Sequence, residues 1–333
     1  MTAEPPPLLK VEGLRKWFDI TRGVFGRKVG QVKAVDDVSF FVRSHEVLGL
    51  AGESGSGKTT IGRSVLRLIE PTAGKVTFDN VEVTSLGARE MRQFRRRMQI
   101  VFQDPLAALN PQMTIEEILS EPLTVQGLAR NAAGRRDRVV ELLDSVALSA
   151  DYLTRRPSDM SGGQRQRVVI ARALSVNPEF IVADEPVSAL DVSIQAQIIA
   201  LLVELKTRLG LSMLFISHDL AAMEYISDRI AVLYLGRIME IGPSTEVCGN
   251  YKHPYTEMLI SAAPQPDPDR KRRIIPVGEI PSAASPPSGC VFRTRCAYAL
   301  PECASVVPPL RNVGADHYTS CIRDDVVSGK ALA

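Results

Sequence analysis

An α/β fold built on a largely parallel sheet is predicted by three features of the sequence. Short apolar runs recur at Val47–Ala51, Gln99–Phe102, Phe180–Ala183, Met213–Ser217 and Ile230–Leu235. Helical patterns separate several of them, as crossovers between parallel strands require. The stretch LAGESGSGKTTIGRSVLRLIE, beginning at Leu50, passes from a strand tail through three glycines into a helix. The bulk composition, 45% apolar and 23% charged over 333 residues, suits a globular chain of about two domains with a sizeable core.

The first strand-to-helix junction carries the chemistry. Gly52, Gly57, Lys58 and Thr59 have the spacing G-x-x-x-x-G-K-[ST] of a phosphate-binding loop. A triphosphate needs backbone N–H groups close on several sides, and a Cβ would hinder that approach. Lys58 offers positive charge to the β- and γ-phosphates, and Thr59 a hydroxyl to Mg²⁺. The helix expected from Thr59 to Leu68 aims its positive end at the same anion.

Further along, FIVADEP is an apolar strand ending in two carboxylates. Asp184 suits a metal, directly or through its water shell, and Glu185 suits the general base that activates a water. DMSGGQRQRVVIARAL places Ser161, Gly162, Gly163 and Gln164 before a strong helix, a second potential anion site. One triphosphate does not need two such sites in one subunit. A head-to-tail dimer resolves this, with the serine–glycine turn of one subunit capping the γ-phosphate held by the other.

The segment from Pro105 to Pro157 contains no convincing strand. DRVVELLDSVAL within it has a helical apolar stripe at Val139, Leu142, Leu143 and Val146, so this section is expected to be a helical insertion. After Pro243 the character changes. Pro264–Gly289 is rich in proline, carries the basic run Arg270–Arg273 and reads as an arm with little regular structure. That run, like the one around Arg95, reads as a solvated face. A net charge of +2 gives no special attraction to nucleic acid or to an anionic membrane. MTAEPPPLLK lacks the pattern of a signal peptide, and no apolar run approaches a spanning helix. A cytoplasmic address is therefore expected, with any membrane role acting through a partner.

Together SGGQ, GESGSGKTT and ADEPVSALD resemble the ATPase subunits of ATP-binding cassette (ABC) transporters, over about Leu8–Glu246. The resemblance implies a P-loop NTPase fold, an ABC nucleotide-binding domain over residues 1–246 with a helical subdomain at about 105–160. Residues 247–333 would form a small cysteine-containing C-terminal extension. It implies ATP and Mg²⁺ as ligands, with Ser54, Gly55 and Thr60 joining the loop's contact set. Ser161–Gln164 become the signature motif that meets the opposite subunit's ATP, and Met160 stands where leucine is commonest. Gln103 in IVFQDP matches the loop glutamine that senses Mg²⁺ and communicates with membrane subunits. Asp191 in SALD matches the loop crossing the dimer interface, and His218 in FISHD the switch histidine that contacts the γ-phosphate. Adenine needs an aromatic upstream of the loop. LRKWFDI offers Trp17 and Phe18, and register against the family favours Phe18.

KHPYTEMLISAAP, PVGEIPS and VFQDPLAALNPQMT are similar to the oligopeptide/dipeptide importer ATPases. That subfamily implies import of a solute, in the first place oligopeptides or dipeptides. The expected partners are two transmembrane permease subunits, a second and different ATPase (or a second copy), and an extracytoplasmic solute-binding protein, with no nucleic acid. The expected location is the cytoplasmic face of the inner or plasma membrane. The alternative, a soluble ABC ATPase of DNA repair or the ribosome, would call for two cassettes or a long coiled-coil insertion, and the sequence has neither.

Cys290, Cys296, Cys303 and Cys321 gather near the end of the chain with the spacing C-x5-C-x6-C-x17-C. The spacing is wider than the pairs of structural zinc sites and is tolerated by a [4Fe–4S] cluster, with which similar family tails are associated. Zinc and unliganded thiols are the alternatives. Such a cluster is expected to staple the tail and leave ATP binding at the core untouched.

Overall fold

The computed structural model describes residues 6–23, 26–128, 131–262 and 278–323. The basic run Arg270–Arg273 and the first part of the proline-rich arm lie outside the described residues. The chain forms two compact units, one of Met1–Val42, Val47–Thr84 and Ser217–Ala333, the other of Arg43–Glu46 and Ser85–Ile216.

The first unit opens with β1 (Leu9–Arg22) and β2 (Arg27–Val42), an antiparallel ribbon whose register runs from Leu9↔Val42 to Arg22↔Arg27. Then come β3 (Val47–Ala51), α1 (Lys58–Val65), β4 (Ala73–Phe78) and β5 (Val81–Glu82). The ribbon extends into a sheet of order β2-β1-β4-β5. Alternation explains its faces: Leu9, Val11, Val76 and Phe78 are buried, while Lys10 and Glu12 face water and pair at 2.8 Å. Helix α1 is shorter than expected because Arg67 takes a left-handed φ of 46° and Leu68 N–H turns back to the Arg63 carbonyl at 2.9 Å.

In the second unit the chain runs through α2 (Ala88–Arg97), β6 (Met98–Val101), α3 (Pro105–Ala108), α4 (Ile115–Val125) and α5 (Ala132–Ser145). It continues with α6 (Gly162–Leu174), β7 (Phe180–Asp184), α7 (Val192–Leu209) and β8 (Ser212–Ile216). Strands β6, β7 and β8 pair in parallel, with Met98↔Phe180 and Phe180↔Ser212 in register. Every residue of β7 and β8 is buried, which is why both read as unbroken apolar runs. Among the described residues between 105 and 160 there is no strand. Helix α4 starts at a capping box in which Thr114 N–H donates to Glu117 Oε2 at 2.7 Å and Glu117 N–H to Thr114 Oγ1 at 3.3 Å. The Thr114 backbone bond holds the Glu117 carboxyl below the usual range.

The chain then returns to the first unit through α8 (Leu220–Ile226), β9 (Arg229–Tyr234), β10 (Arg237–Pro243), α9 (Ser244–Gly249) and α10 (Pro254–Ala262). It ends with β11 (Arg311–Gly314) and β12 (His317–Thr319). Strand β9 lies parallel to β3, with Leu48↔Arg229 and Ala51↔Val232 in register. Strand β12 pairs antiparallel with β10 through Glu240↔Thr319. The described part of the tail is therefore more regular than its proline content suggests. A buried carboxylate ties it down: Glu240 accepts from Lys252 N–H at 2.5 Å and His253 N–H at 3.0 Å, and lies 2.6 Å from His317 Nε2. Full burial lowers the His253 imidazole to about 3 and keeps it neutral, so its Nδ1 accepts Tyr255 N–H at 3.0 Å.

Candidate active site

In the first unit, the turn between β3 and α1 is a cradle that only glycine can form at two points. Gly52 has φ 145° and Gly57 φ 103°. A Cβ would lie 2.3 Å from the Leu233 carbonyl oxygen at the former and 2.2 Å from that of Ala34 at the latter. Helix α1 begins after Gly57 with no side-chain cap, which leaves its positive end to an anion. Lys58 is buried at its root, and its Nζ donates to the carbonyls of Gly52 (2.7 Å) and Glu53 (3.0 Å). Ser54 and Gly55 form the exposed lip, and Thr59 and Thr60 are half-buried in the first turn of α1. The uncapped helix start and the Lys58 ammonium give this turn the sign and the N–H donors that a phosphate chain needs.

Upstream, β1 presents Trp17 and Phe18 on opposite faces. Phe18 is 39% exposed, with Lys16 Nζ 5.0 Å from its ring centroid, so an aromatic surface is open for stacking. Trp17 is half-buried, and its indole N–H is shut away from solvent. His218 is exposed just before α8, which Asp219 caps by accepting Ala221 N–H at 2.9 Å.

The second unit brings its own predicted residues together. Asp184 closes β7 with its side chain buried. Glu185 takes a left-handed φ of 46°, and its N–H donates to the Ile216 carbonyl at 3.0 Å. Gln103 Nε2 donates to Glu185 Oε2 at 3.0 Å and reaches Ser188 Oγ at 3.4 Å. The two residues lie 82 positions apart in sequence and meet because β6 and β7 are parallel neighbours.

Ser161 caps α6 by accepting Gln164 N–H at 3.3 Å, and Gln164 Oε1 accepts Ser161 N–H at 3.0 Å. Gln164 Nε2 then donates to Tyr152 Oη at 2.8 Å. Packing supplies a second reason for the glycines. A Cβ on Gly163 would stand 2.6 Å from Ile194 Cγ2, and one on Gly162 3.2 Å from Leu190 Cδ2. The serine–glycine turn thus sits directly on the loop that carries Asp191, whose carbonyl accepts Ile194 N–H at 2.9 Å.

In the tail, Cys290, Cys296, Cys303 and Cys321 line one small cavity, together with Phe292 and Pro308. Leu300 N–H points at Cys303 Sγ and Arg323 N–H at Cys321 Sγ, both at 3.4 Å. Backbone donors also meet the sulfurs of Cys290 and Cys296. Burial pushes the Cys290 thiol up and that of Cys296 up to about 11. As the side chains stand, no group of three or more His, Cys, Asp or Glu among the described residues is placed to hold a metal ion. Cys248 stands apart, its thiol pushed up to about 12 by burial.

Two contacts of Glu53 were not legible in the sequence. The motif leaves its position unspecified, and both partners lie in the C-terminal extension. Tyr255 Oη accepts Glu53 N–H at 2.9 Å, and Arg295 grips the Glu53 carboxylate at 2.6 and 3.0 Å.

Cradle, cap-free helix and strand-end carboxylates define an ATP-binding cassette of the P-loop class. Comparisons agree: the ABC transporter family model matches residues 35–188, and the model for the oligopeptide/dipeptide transporter C-terminal region matches residues 239–303. A Brucella ovis protein named as a peptide import ATP-binding protein is 58% identical over 96% of this chain and 99% of its own. An oligopeptide transport ATP-binding protein of Bacillus subtilis is 46% identical over 96% of this chain and 98% of its own. Among solved structures, the ATP-binding cassette MJ0796, a dimer in a post-hydrolysis state with ADP and Pi, superposes with a TM-score of 0.63 at 30% identity. That match covers 71% of this chain and 98% of that one. The chain belongs to the family of ATP-binding subunits of ABC transporters. Among the described residues no helix is long and apolar enough to cross a membrane.

Proposed function

We propose that this chain is the ATPase subunit of a peptide importer, hydrolysing MgATP to drive oligopeptides or dipeptides through a membrane complex. The observation that carries the hydrolytic reading is the Gln103–Glu185 hydrogen bond, which joins the proposed Mg²⁺-sensing amide to the proposed base. The match of the tail to the peptide-transporter C-terminal region supports the class of cargo.

In this reading Gly52–Thr60 wrap the phosphates, Phe18 stacks on adenine, and Thr59, Gln103 and Asp184 take the Mg²⁺. Glu185 removes a proton from the attacking water, and His218 meets the γ-phosphate. Ser161–Gln164 serve the ATP of a second ATPase subunit, and Asp191 crosses to it. What supports the last two assignments is the packing of the serine–glycine turn against Leu190 and Ile194, which flank Asp191, so that the two motifs share one surface.

Two permease subunits complete the complex, with an extracytoplasmic binding protein, and hold the chain at the cytoplasmic face of the membrane. A groove of about 330 Å³ in the second unit suits a permease segment. Gln99, Ile100 and Phe102 line it together with Val125 and Arg172, so pressure there acts on the strand leading to Gln103. Co-purification from membranes tests this assignment. Recovery with permease subunits, and hydrolysis stimulated by peptide-loaded binding protein, is expected. Recovery without permeases overturns the importer reading.

We place a [4Fe–4S] cluster on Cys290, Cys296, Cys303 and Cys321. What supports this placement is that the four cysteines line one cavity and backbone N–H groups meet all four sulfurs, although the side chains as they stand would have to turn to close on a cluster. When bound, the group would cross-link a proline-rich segment. ATP hydrolysis requires no electron transfer, so its contribution is structural.

A further inference from the structure

We propose that the C-terminal extension is a working part of the ATP site, with Arg295 and Tyr255 as positioning residues for the phosphate-binding loop. The inference rests on the ATP-site reading above and adds to it. Glu53 lies inside the loop and is held at each of its polar groups. Its N–H goes to Tyr255 Oη at 2.9 Å, its carbonyl accepts Lys58 Nζ at 3.0 Å, and its carboxylate receives both terminal nitrogens of Arg295. Tyr255 and Arg295 come from 202 and 242 residues away, so tertiary structure alone makes those two contacts.

Burial decides how much the ion pair matters. The Arg295 side chain is 4% exposed and that of Glu53 24%, so water screens little of the interaction. The guanidinium also lies 5.7 Å from the Tyr234 ring centroid. Tyr234, Tyr255 and Phe292 pack with centroids 4.7 to 5.3 Å apart and are fully buried, a stiff backing for both groups. Tyr234 follows Leu233, whose carbonyl faces Gly52 across the cradle. Loop and tail therefore rest on the same wall.

Two consequences bear on nucleotide binding. A bare carboxylate in a phosphate-binding loop would repel a triphosphate, and Arg295 neutralises it. The Glu53 peptide also supplies a carbonyl that holds Lys58 Nζ, so its orientation sets where that charge starts from before it reaches a phosphate. Arg295 directly precedes Cys296, so the segment carrying Cys290 and Cys296 also carries the counter-ion of the loop.

The test is a mutant cycle on the full chain, read as the dissociation constant for a fluorescent ATP analogue and as melting temperature. Arg295→Ala should weaken binding by about tenfold, within the range of ordinary coupling between sites. Arg295→Lys should restore part of the loss. Glu53→Gln combined with Arg295→Ala should bind more tightly than Arg295→Ala alone, because the repelling charge has gone. A purely structural role gives no such recovery. Tyr255→Phe removes only the hydroxyl, keeps the aromatic packing, and should weaken binding in a protein of near-parental melting temperature. Unchanged affinity in both Arg295→Ala and Tyr255→Phe overturns the proposal, as does a double variant weaker than Arg295→Ala. Lys58→Ala is the control. If it too binds normally, the reading of the loop itself fails; if it alone loses binding, only the positioning role is lost.

Discussion

Replacing Glu185 with Gln separates the chemistry of this side chain from its place in the fold. Glu185 Oε2 accepts the Gln103 amide at 3.0 Å, and its backbone N–H is committed to Ile216. An amide oxygen can accept the same bond, and the left-handed φ of 46° is shared by both variants. Stability should therefore change by only a few tenths of a kcal/mol, as for substitutions that disturb no packing or hydrogen bond. An amide cannot take a proton from water. Turnover should fall by about 10²–10⁴, the contribution of a general base. At about 1.4 kcal/mol per tenfold, that raises the barrier by roughly 3–5 kcal/mol. Glu185→Ala should lose as much turnover and in addition about 1 kcal/mol of stability with the Gln103 bond. The assay is phosphate release from the assembled complex, with nucleotide binding measured in parallel. Glu185→Gln should bind ATP normally and accumulate as an ATP-bound dimer. Hydrolysis near the parental rate in that variant would refute the assignment of Glu185 as base.

Five other outcomes are expected. Ser161→Ala removes the cap on Gln164 N–H and should lower stability by about 1 kcal/mol while depressing hydrolysis without weakening ATP binding to the monomer. Mixed with Lys58→Ala, or with the sister subunit carrying the matching change, it should regain activity in one composite site; formed but inactive heterodimers would contradict a shared site. Phe18→Ala should weaken nucleotide binding by about 1–3 kcal/mol, the range for loss of a stacking partner, and Trp17→Ala should not; equal losses would reject Phe18 as the adenine partner. Protein purified without oxygen should be brown with about four irons per chain. Colourless protein with one zinc, or four freely titratable tail thiols, would reject the cluster. Cys296→Ser should loosen the tail; the sequence alone predicts that ATP binding survives this change, but the grip of the neighbouring Arg295 on Glu53 predicts a lower ATP affinity, and unchanged affinity would show tail and loop to be uncoupled. In metal-free protein, burial raises Cys296 to about 11 from an ordinary value of 9. The stability gained from keeping it neutral is complete below about pH 9 and lost as pH rises through about 11. Its alkylation should accelerate about tenfold per pH unit over the approach to that value; a plateau below pH 8.5 would contradict the shift.

Short-range spacing carried most of what the sequence revealed. The cradle at Gly52–Thr59, the carboxylates after β7 and the cap at Ser161 are each encoded within a few residues, so their chemistry was readable. Strands β7 and β8 were legible because burial on both faces leaves unbroken apolar runs. The ribbon of β1 and β2 was not, since its bulges break the alternation that marks a half-buried strand. Strand β12 is three residues long and finds its partner β10 across more than half of the tail, so no local pattern announces it. The Gly163 contact with Ile194 and the Glu53 contact with Arg295 are likewise tertiary facts. The sequence marked Gly163 for its place beside an anion and left Glu53 as an unspecified position. For that reason the tail read as separate from the nucleotide core, whereas the structure ties it to the loop.

The central claim is that ATP hydrolysed on this chain drives peptide import. The most direct measurement places the assembled complex in proteoliposomes, with ATP and Mg²⁺ on the side of this subunit and labelled peptide with its binding protein on the other. Uptake should require ATP, rise with peptide-loaded binding protein and disappear with Glu185→Gln. Uptake that proceeds without hydrolysis, or hydrolysis that peptide and binding protein leave unchanged, would contradict the account.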